Sequence, residues 1–506
     1  MTDAATTPHL ADERQSGSGN WQRLSPRMLL VHPVHELLRQ LPVLIGSVVL
    51  GSATGNSAWP LAALGLTMGF GLLRWFFTTY RIDDDNVELR TGVLQRRQVS
   101  VPRNRIRSVQ TDARLLHRLL RLTVLRVGTG QETHADSAFE LDALEADQVP
   151  ALRALLLAEP QSPTGAESPP GRVLARWRPS WLRYAPLSFS GLVMIGAAIG
   201  LGFQSGLAMR LQESGVTQAG VEAARRSGVI VVVAVAGGLL VVTSVVLAVL
   251  FSWLTYGNLV LRRDPPADSG SAGVLHLRHG LLRVREHTFD MARFRGGTLR
   301  EPLLVRGLRG ARLDAIMTGV HGEGESSVLL PPCPSGTAAA VLADLMDTSD
   351  APAPPLRRHG PAATRRRWTR AMALPAVTAV LLLATAPATT VPGWAWVAWA
   401  VVTAGCAGLA ADRARSLGHR VDGGWLVSRA GSLERRRDCL SCPGIVAWTV
   451  RQTLFQRRAG VATLIAATAA GRKHYRVLDI PADLAWSVAA TASPWVADSI
   501  WARNGG

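Results

Sequence analysis

Four stretches of this 506-residue chain hold no charged side chain. They lie between Arg39 and Arg74, from Tyr184 to Met209, from Ser227 to Leu261, and from Ala371 to Ala411. A helix that crosses a membrane needs about 20 mostly apolar residues. The first stretch is broken by GSATGNSAWP (Gly51–Pro60) and the last by Pro392-Gly393, while polar sequence around Gln212–Arg226 separates the middle two. The pattern predicts six spans in three helical hairpins, at 34–78, 184–257 and 371–411, the first built from Val34–Ala53 and Trp59–Thr78.

Between the apolar stretches the period shortens. Tyr80 to Leu89 reads as strand, turn, strand, with Asp83-Asp84-Asp85 at the turn because Asp tolerates turn geometry. Val99 and Val101 alternate with polar neighbours, and Pro102 marks that run as an edge or a bulge. The run Ala146–Leu157 then sets Val149, Leu152, Leu155 and Leu156 on one helical face, and Thr337–Met346 and Asp483–Val496 close later blocks in the same way. Short strands followed by one amphipathic helix describe a small barrel or sandwich capped at one end. Three such domains are expected, at 80–158, 258–346 and 418–498. Linkers rich in Pro, Gly and Ser occupy 159–171 and 347–365, and RRDPPADSGSAG (Arg262–Gly273) interrupts the second domain near its first turn. Residues 1–20 are polar and are expected to be disordered, with no secretory signal.

The blocks repeat. With Gly92, Gly280 and Gly431 as a common origin and no gaps, Ile106, Phe294 and Ile445 coincide, as do Leu115, Leu303 and Leu454, and Arg118, Arg306 and Arg457. GVLQRR, GLLRVR and GSLERR open the three copies.

Charge then sets orientation. The chain has 55 basic and 37 acidic residues, a formal +18, and Lys473 is its one lysine. The tips of the first and third hairpins carry no Lys or Arg, whereas the segments between hairpins are rich in arginine. The positive-inside rule therefore predicts a multi-pass protein of the inner membrane with both termini and all three domains in the cytoplasm. The second hairpin follows by parity, since its connection mixes Arg210, Arg225 and Arg226 with Glu213 and Glu222.

The candidate binding residues are the arginines of the first copy, Arg96, Arg97, Arg103, Arg105 and Arg107, with Arg293 and Arg295 as counterparts in the second. Three arginines alternating along a strand would share one face and could dock anionic lipid headgroups, each contributing about 1 kcal/mol near a membrane surface. The bland alternative is a solvated, edge-protecting face. Cys439-Leu-Ser-Cys442 lacks the second ligand pair that structural zinc requires, so ordinary thiols are expected. His32-Pro-Val-His35-Glu36 and Asp83-Asp84-Asp85 lack the spacing of metal sites. There is no Walker loop and no GxSxG, no cofactor is expected, and the tryptophans cluster in or beside spans (Trp394, Trp396, Trp399) rather than as base-stacking platforms, which argues against nucleic acid.

Hairpins each followed by a block opening GxLxRR and closing L-x-x-R resemble the bacterial membrane-flanked domain proteins, also called bacterial PH domain type 2, and among them the multi-repeat YdbT-like members. The resemblance covers nearly the whole chain after residue 20 and is best in the first copy. It implies a pleckstrin-homology-like fold, a seven-stranded bent β-barrel closed by a C-terminal helix. The third copy departs from the pattern, with Gly444 and Val446 where the second has Arg293 and Arg295. The fold class expected is thus an α+β membrane protein with three hairpins, each followed by a cytoplasmic PH-like barrel. The function expected is non-enzymatic: a membrane scaffold or adaptor binding a protein partner or anionic lipid. The resemblance implies one partner, a smaller sibling membrane protein with a single such domain. The alternative is a transport or export component, for instance for toxic amphiphiles, with PH-like regulatory domains.

Overall fold

In Asn86–Thr91 (NVELRT) every second residue is buried, Val87 and Leu89, which is the period of a strand with one face on a core. The computed structural model describes residues 21–23, 76–83, 86–92, 96–102, 106, 108–113, 115–128, 139–149, 151–152, 171–187, 229–266, 272–319, 327–348, 355–386 and 391–498, with isolated positions at 65, 69 and 73. Its strands are β1 (Gln22–Arg23), β2 (Thr79–Ile82), β3 (Asn86–Thr91), β4 (Arg97–Pro102), β5 (Ser108–Ala113), β6 (Leu122–Gly128), β7 (Phe139–Glu145), β8 (Arg172–Arg176), β9 (Val260–Asp264) and β10 (Val274–His279). They continue as β11 (Val284–Asp290), β12 (Phe294–Pro302), β13 (Gly310–Met317), β14 (Val328–Pro334), β15 (Gly418–Asp422), β16 (Trp425–Ala430), β17 (Glu434–Ser441), β18 (Ile445–Arg451), β19 (Val461–Thr468) and β20 (His474–Pro481). The helices are α1 (Leu115–Leu119), α2 (Val229–Tyr256), α3 (Leu303–Gly307), α4 (Ser335–Leu345), α5 (Gly360–Thr385), α6 (Gly393–Ser416), α7 (Leu454–Arg458) and α8 (Leu484–Ala492).

The chain forms two compact units. The first comprises Met1–Pro170, Asp264–Arg278 and Leu282–Asp290. In it a sheet ordered β1-β2-β3-β4 packs on a second ordered β7-β6-β5-β11-β10. Tyr80, Val87, Leu89 and Val101 from one meet Val109, Leu125, Val127 and Leu141 from the other, with Val149 and Leu152 closing the core from the helical segment after β7. Burying a side chain of this size stabilises by about 1.5–3 kcal/mol.

The second unit comprises Gly171–Arg263, His279–Leu281 and Met291–Gly506. It contains a sheet ordered β14-β13-β12-β17-β16-β15, a sheet ordered β18-β19-β20, and the pair β8–β9. Helix α8 lays Ala485, Val488, Ala489 and Ala492 on the core of the last copy, and α4 buries Ala338, Val341, Leu342 and Leu345 with the same spacing. That spacing is one face of a helix, and both helices lie where the apolar period predicts them.

Each unit contains one joint between copies, made of strand pairing. In the first unit β11 of the second copy pairs antiparallel with β5 of the first; in the second unit β17 of the third copy pairs with β12 of the second. The two joints share one register. Val284 faces Ala113 as Arg435 faces Glu301, and Arg285 faces Asp112 as Arg436 faces Arg300. Counted from the three common glycines these pairs are equivalent.

Paired strands bracket the predicted hairpins. Strand β1 precedes the first predicted hairpin and pairs with β2, which follows it; β8 and β9 flank the second in the same way. In the third copy a bridge between Arg357 and His419 ties the residues before α5 to the first strand after α6.

The expectation of six spans in three hairpins is corrected. Among the described residues two helices, α5 and α6, are long and apolar enough to cross a membrane. Both belong to the third predicted hairpin; α5 ends at Thr385 and α6 begins at Gly393, directly after Pro392. In α2 the described apolar stretch is the shorter Val242–Tyr256, and most of the other predicted span residues lie outside the described ones. Every long uncharged stretch counts as span by sequence, and the described residues supply two helices that meet both the length and the apolar composition of a crossing.

Gly296 makes the second joint testable. Its φ is +138°, and a Cβ built there would stand 1.9 Å from the Cys439 carbonyl oxygen across the joint. Gly296→Ala is expected to destabilise the full-length protein by about 1–3 kcal/mol, the cost of a strained or forced backbone, read as a lowered unfolding midpoint in detergent. Gly336→Ala, at a helical position with open space around it, is the control expected to leave the midpoint in place.

Candidate functional site

Much of the described arginine is engaged with acids. At the first joint the Asp112 carboxylate receives Arg283 Nε at 2.7 Å and Arg126 Nη1 at 3.9 Å. Burial would push this carboxyl up, but the hydrogen bond and charge of Arg283, then Arg126 and Arg285, hold it below the ordinary range. At the second joint Arg300 meets buried Asp314 at 2.5 Å and Glu434 at 3.5 Å, and Thr298 Oγ1 donates to Asp438 at 2.7 Å. Guanidinium groups suit this work because their planar donor fork stays charged and can bridge carboxylates.

The same chemistry fixes the membrane-type hairpin to the sheets. Asp412, in the last turns of α6, accepts from Arg306 of α3 at 2.9 Å and from Arg435 of β17 at 2.7 Å. Arg306 is one of the three repeat-spaced arginines. At the other root, Arg366 and Arg367 of α5 reach Asp479 of β20 at 3.1 and 2.6 Å, and Gln456 Nε2 donates to the same carboxylate at 2.8 Å. All four side chains are buried, and Asp479 takes a φ of +53°, a region Asp tolerates. Removing one partner of such a buried pair typically costs about 3–5 kcal/mol, because the other charge is left uncompensated.

Two histidines complete this root. His359 Nδ1 lies 2.8 Å from the Leu478 carbonyl oxygen, so that nitrogen carries the proton. His359 Nε2 therefore accepts, at 2.9 Å, from His419 Nδ1–H. Both rings are buried. Burial lowers the pKa of His359, opposed by the Leu478 carbonyl and Asp479 and reinforced by Arg367; burial, His359 and Arg357 push His419 down to about 4. The pair is neutral at physiological pH.

Of the predicted binding arginines, Arg96, Arg97, Arg293 and Arg295 are among the described residues. Arg96 and Arg97 are exposed at the start of β4, beside Arg90, whose guanidinium stacks 3.8 Å over the Trp21 ring. Arg103, Arg105 and Arg107 lie outside the described residues. Arg293 sits half-buried in a short 3-10 turn, its carbonyl accepting from the Thr318 amide. Arg295 donates to the carbonyls of Ala292 and Phe294 at 2.8 and 3.0 Å and lays its methylenes over Gly444. Cys439 and Cys442 are free and buried, and burial pushes their thiols up to about 12 and 11. Asp83 pairs with Arg81 at 2.9 Å in the turn between β2 and β3; Asp84, Asp85, His32, His35 and Glu36 lie outside the described residues. Among the described residues no cluster of His, Cys, Asp and Glu could hold a metal ion.

What sequence reasoning missed is a pair of open sheet edges. Among the described strands β4 ends one sheet and β18 ends another. Along β18 (IVAWTVR) Trp448 and Val450 pack toward the core, while Val446, Ala447, Thr449 and Arg451 are exposed. Next to it α7 holds Leu454 and Phe455 each 74% exposed, followed by exposed Arg457 and Arg458. The signal was present in the repeat alignment: the strand that carries a joint in copies one and two corresponds in the third to β18, which among the described strands pairs with β19 alone.

The family model for the bacterial PH domain matches the chain twice, at residues 37–160 and 370–492. The second copy falls between the two matches. No curated protein and no solved structure matches the chain.

The histidine pair predicts a pH dependence. Its folded-state values lie below the ordinary 6.5, so its contribution is complete above that value and is lost as the pH falls toward 4. For His419 the loss approaches about 3 kcal/mol, at 1.36 kcal/mol per unit. Unfolding midpoints measured from pH 7 to pH 4.5 should fall more steeply for the native protein than for His419→Asn.

Proposed function

Because the chain belongs to the bacterial PH domain family, we propose that it is a non-enzymatic membrane adaptor whose PH-like modules capture a protein partner by adding a strand to an open sheet edge. The observation that carries this reading is the shared register of the two internal joints: these modules already recognise one another through β-strand pairing, a mode in which main-chain hydrogen bonds supply affinity and side chains supply register.

Helices α5 and α6 supply the attachment to the bilayer. Arg365, Arg366, Arg367 and Arg370 lie in the first turns of α5, and Arg413 and Arg415 close α6, so the basic ends of both helices are the ends that meet the sheets. By the positive-inside rule that end is cytoplasmic, which puts the modules at the inner face of the cell membrane. Exposed Arg96 and Arg97 favour a second, weaker contact with anionic headgroups at that face.

A photo-reactive phenylalanine analogue incorporated at Thr449, on the open edge, tests the reading in living cells. The adaptor account expects a discrete protein adduct at Thr449 and none when the same probe replaces Thr364, an exposed residue of α5 away from that edge. Equal labelling at both positions, or no protein adduct at Thr449, contradicts it.

A further inference from the structure

Strand β18 is shaped like a strand that already carries a joint. Against its hairpin neighbour β19 it has a bulge between Ile445 and Ala447; β12 has the equivalent bulge between Phe294 and Gly296 against β13. In β12 that shape accompanies pairing with the next copy. Just beyond the pairing the Leu303 amide donates to the carbonyl of Leu433, in the turn that opens the next copy, at 2.7 Å. Leu303 and Leu304 are 37% and 54% exposed there, against 74% for their counterparts Leu454 and Phe455.

Open edges in natural sheets are blunted by charge, proline or cover. Strand β18 has one charge, at its last residue, and no proline. The chain also carries the complementary edge. Strand β4 is the first-copy equivalent of β11 and β17, the strands that occupy the two joints, and among the described strands it has a neighbour on one side only.

Resting on the strand-addition reading above, we propose that the β18 edge is the docking site for β4 of a second copy of this chain, in the register of the internal joints. That register sets Val99 opposite Thr449, Ser100 opposite Trp448, and Arg97 opposite Arg451. The arginine pair has a precedent, since the second joint sets Arg436 opposite Arg300. The interface is heterologous, so each copy offers one edge and accepts at the other, and the contact propagates as a ring or an open chain of copies rather than closing as a two-fold dimer.

The test is a mixed-copy disulfide in native membranes. Full-length Val99→Cys and Thr449→Cys chains, distinguishable by tag, are co-expressed and oxidised; both changes are small and lie on the open edge strands. A mixed dimer that neither variant forms alone is expected. Ser100→Cys with Thr449→Cys is the register control, because neighbouring strand residues point to opposite faces, and it should cross-link at least several-fold less. Absence of the Val99–Thr449 adduct overturns the proposal, as does an equal yield from the control. The photo-probe at Thr449 separates this outcome from failure of the adaptor reading. An adduct with a different protein, and none with a second copy, overturns self-docking while leaving strand addition in place; absence of any adduct overturns both.

Discussion

The antiparallel ladder between one copy and the next is the constraint on which the described architecture depends. Ending a sheet leaves unpaired amides and carbonyls, and a repeat protein can satisfy them with its own next copy. Here β11 completes the edge at β5, and β17 completes the edge at β12. The register explains why the arginine–acid groups fall where they do. The register sets Asp112 opposite Arg285 and brings Arg283, two residues along, onto its carboxylate; it sets Arg300 opposite Arg436 and brings Glu434, two residues along, to Arg300.

A second consequence concerns the hairpin of α5 and α6. A bridge between Arg357 and His419 joins the residues before α5 to the first strand after α6, so this hairpin is an insertion held at both ends. In the third copy both ends are also clamped by ion pairs, Arg366 and Arg367 to Asp479 at one root and Arg306 and Arg435 to Asp412 at the other. Displacing α5 or α6 would leave charge uncompensated in partly or fully buried positions, which makes the hairpin and its sheets one mechanical element rather than a domain on a tether. Among the described residues, ion pairing at joints and roots is one use to which the chain puts its many guanidinium groups.

Local periodicity made some of this legible. The alternation of Val99 and Val101, the turn at Asp83 and the closing helix faces at Val149, Val341 and Val488 could be read from the chain because each depends on residues close in sequence. The third hairpin was legible for the same reason. The joints were not, because pairing Ala113 with Val284 joins residues far apart in sequence, and no local pattern encodes which edge meets which. The repeat alignment held the missing information, since equivalent residues pair in both joints. The ion pairs were not legible either, because a partner such as Asp479 for Arg366 and Arg367 comes from a distant strand. Six spans were expected from uncharged length, and the described residues supply two.

The central claim is that identical ladders join the copies, and backbone hydrogen exchange tests it most directly. In full-length protein, amides of β5 and β12 should be protected to a similar, high degree, because both strands are paired on two sides. If β5 and β12 exchange as quickly as exposed turns, the joints do not persist in solution and the account fails.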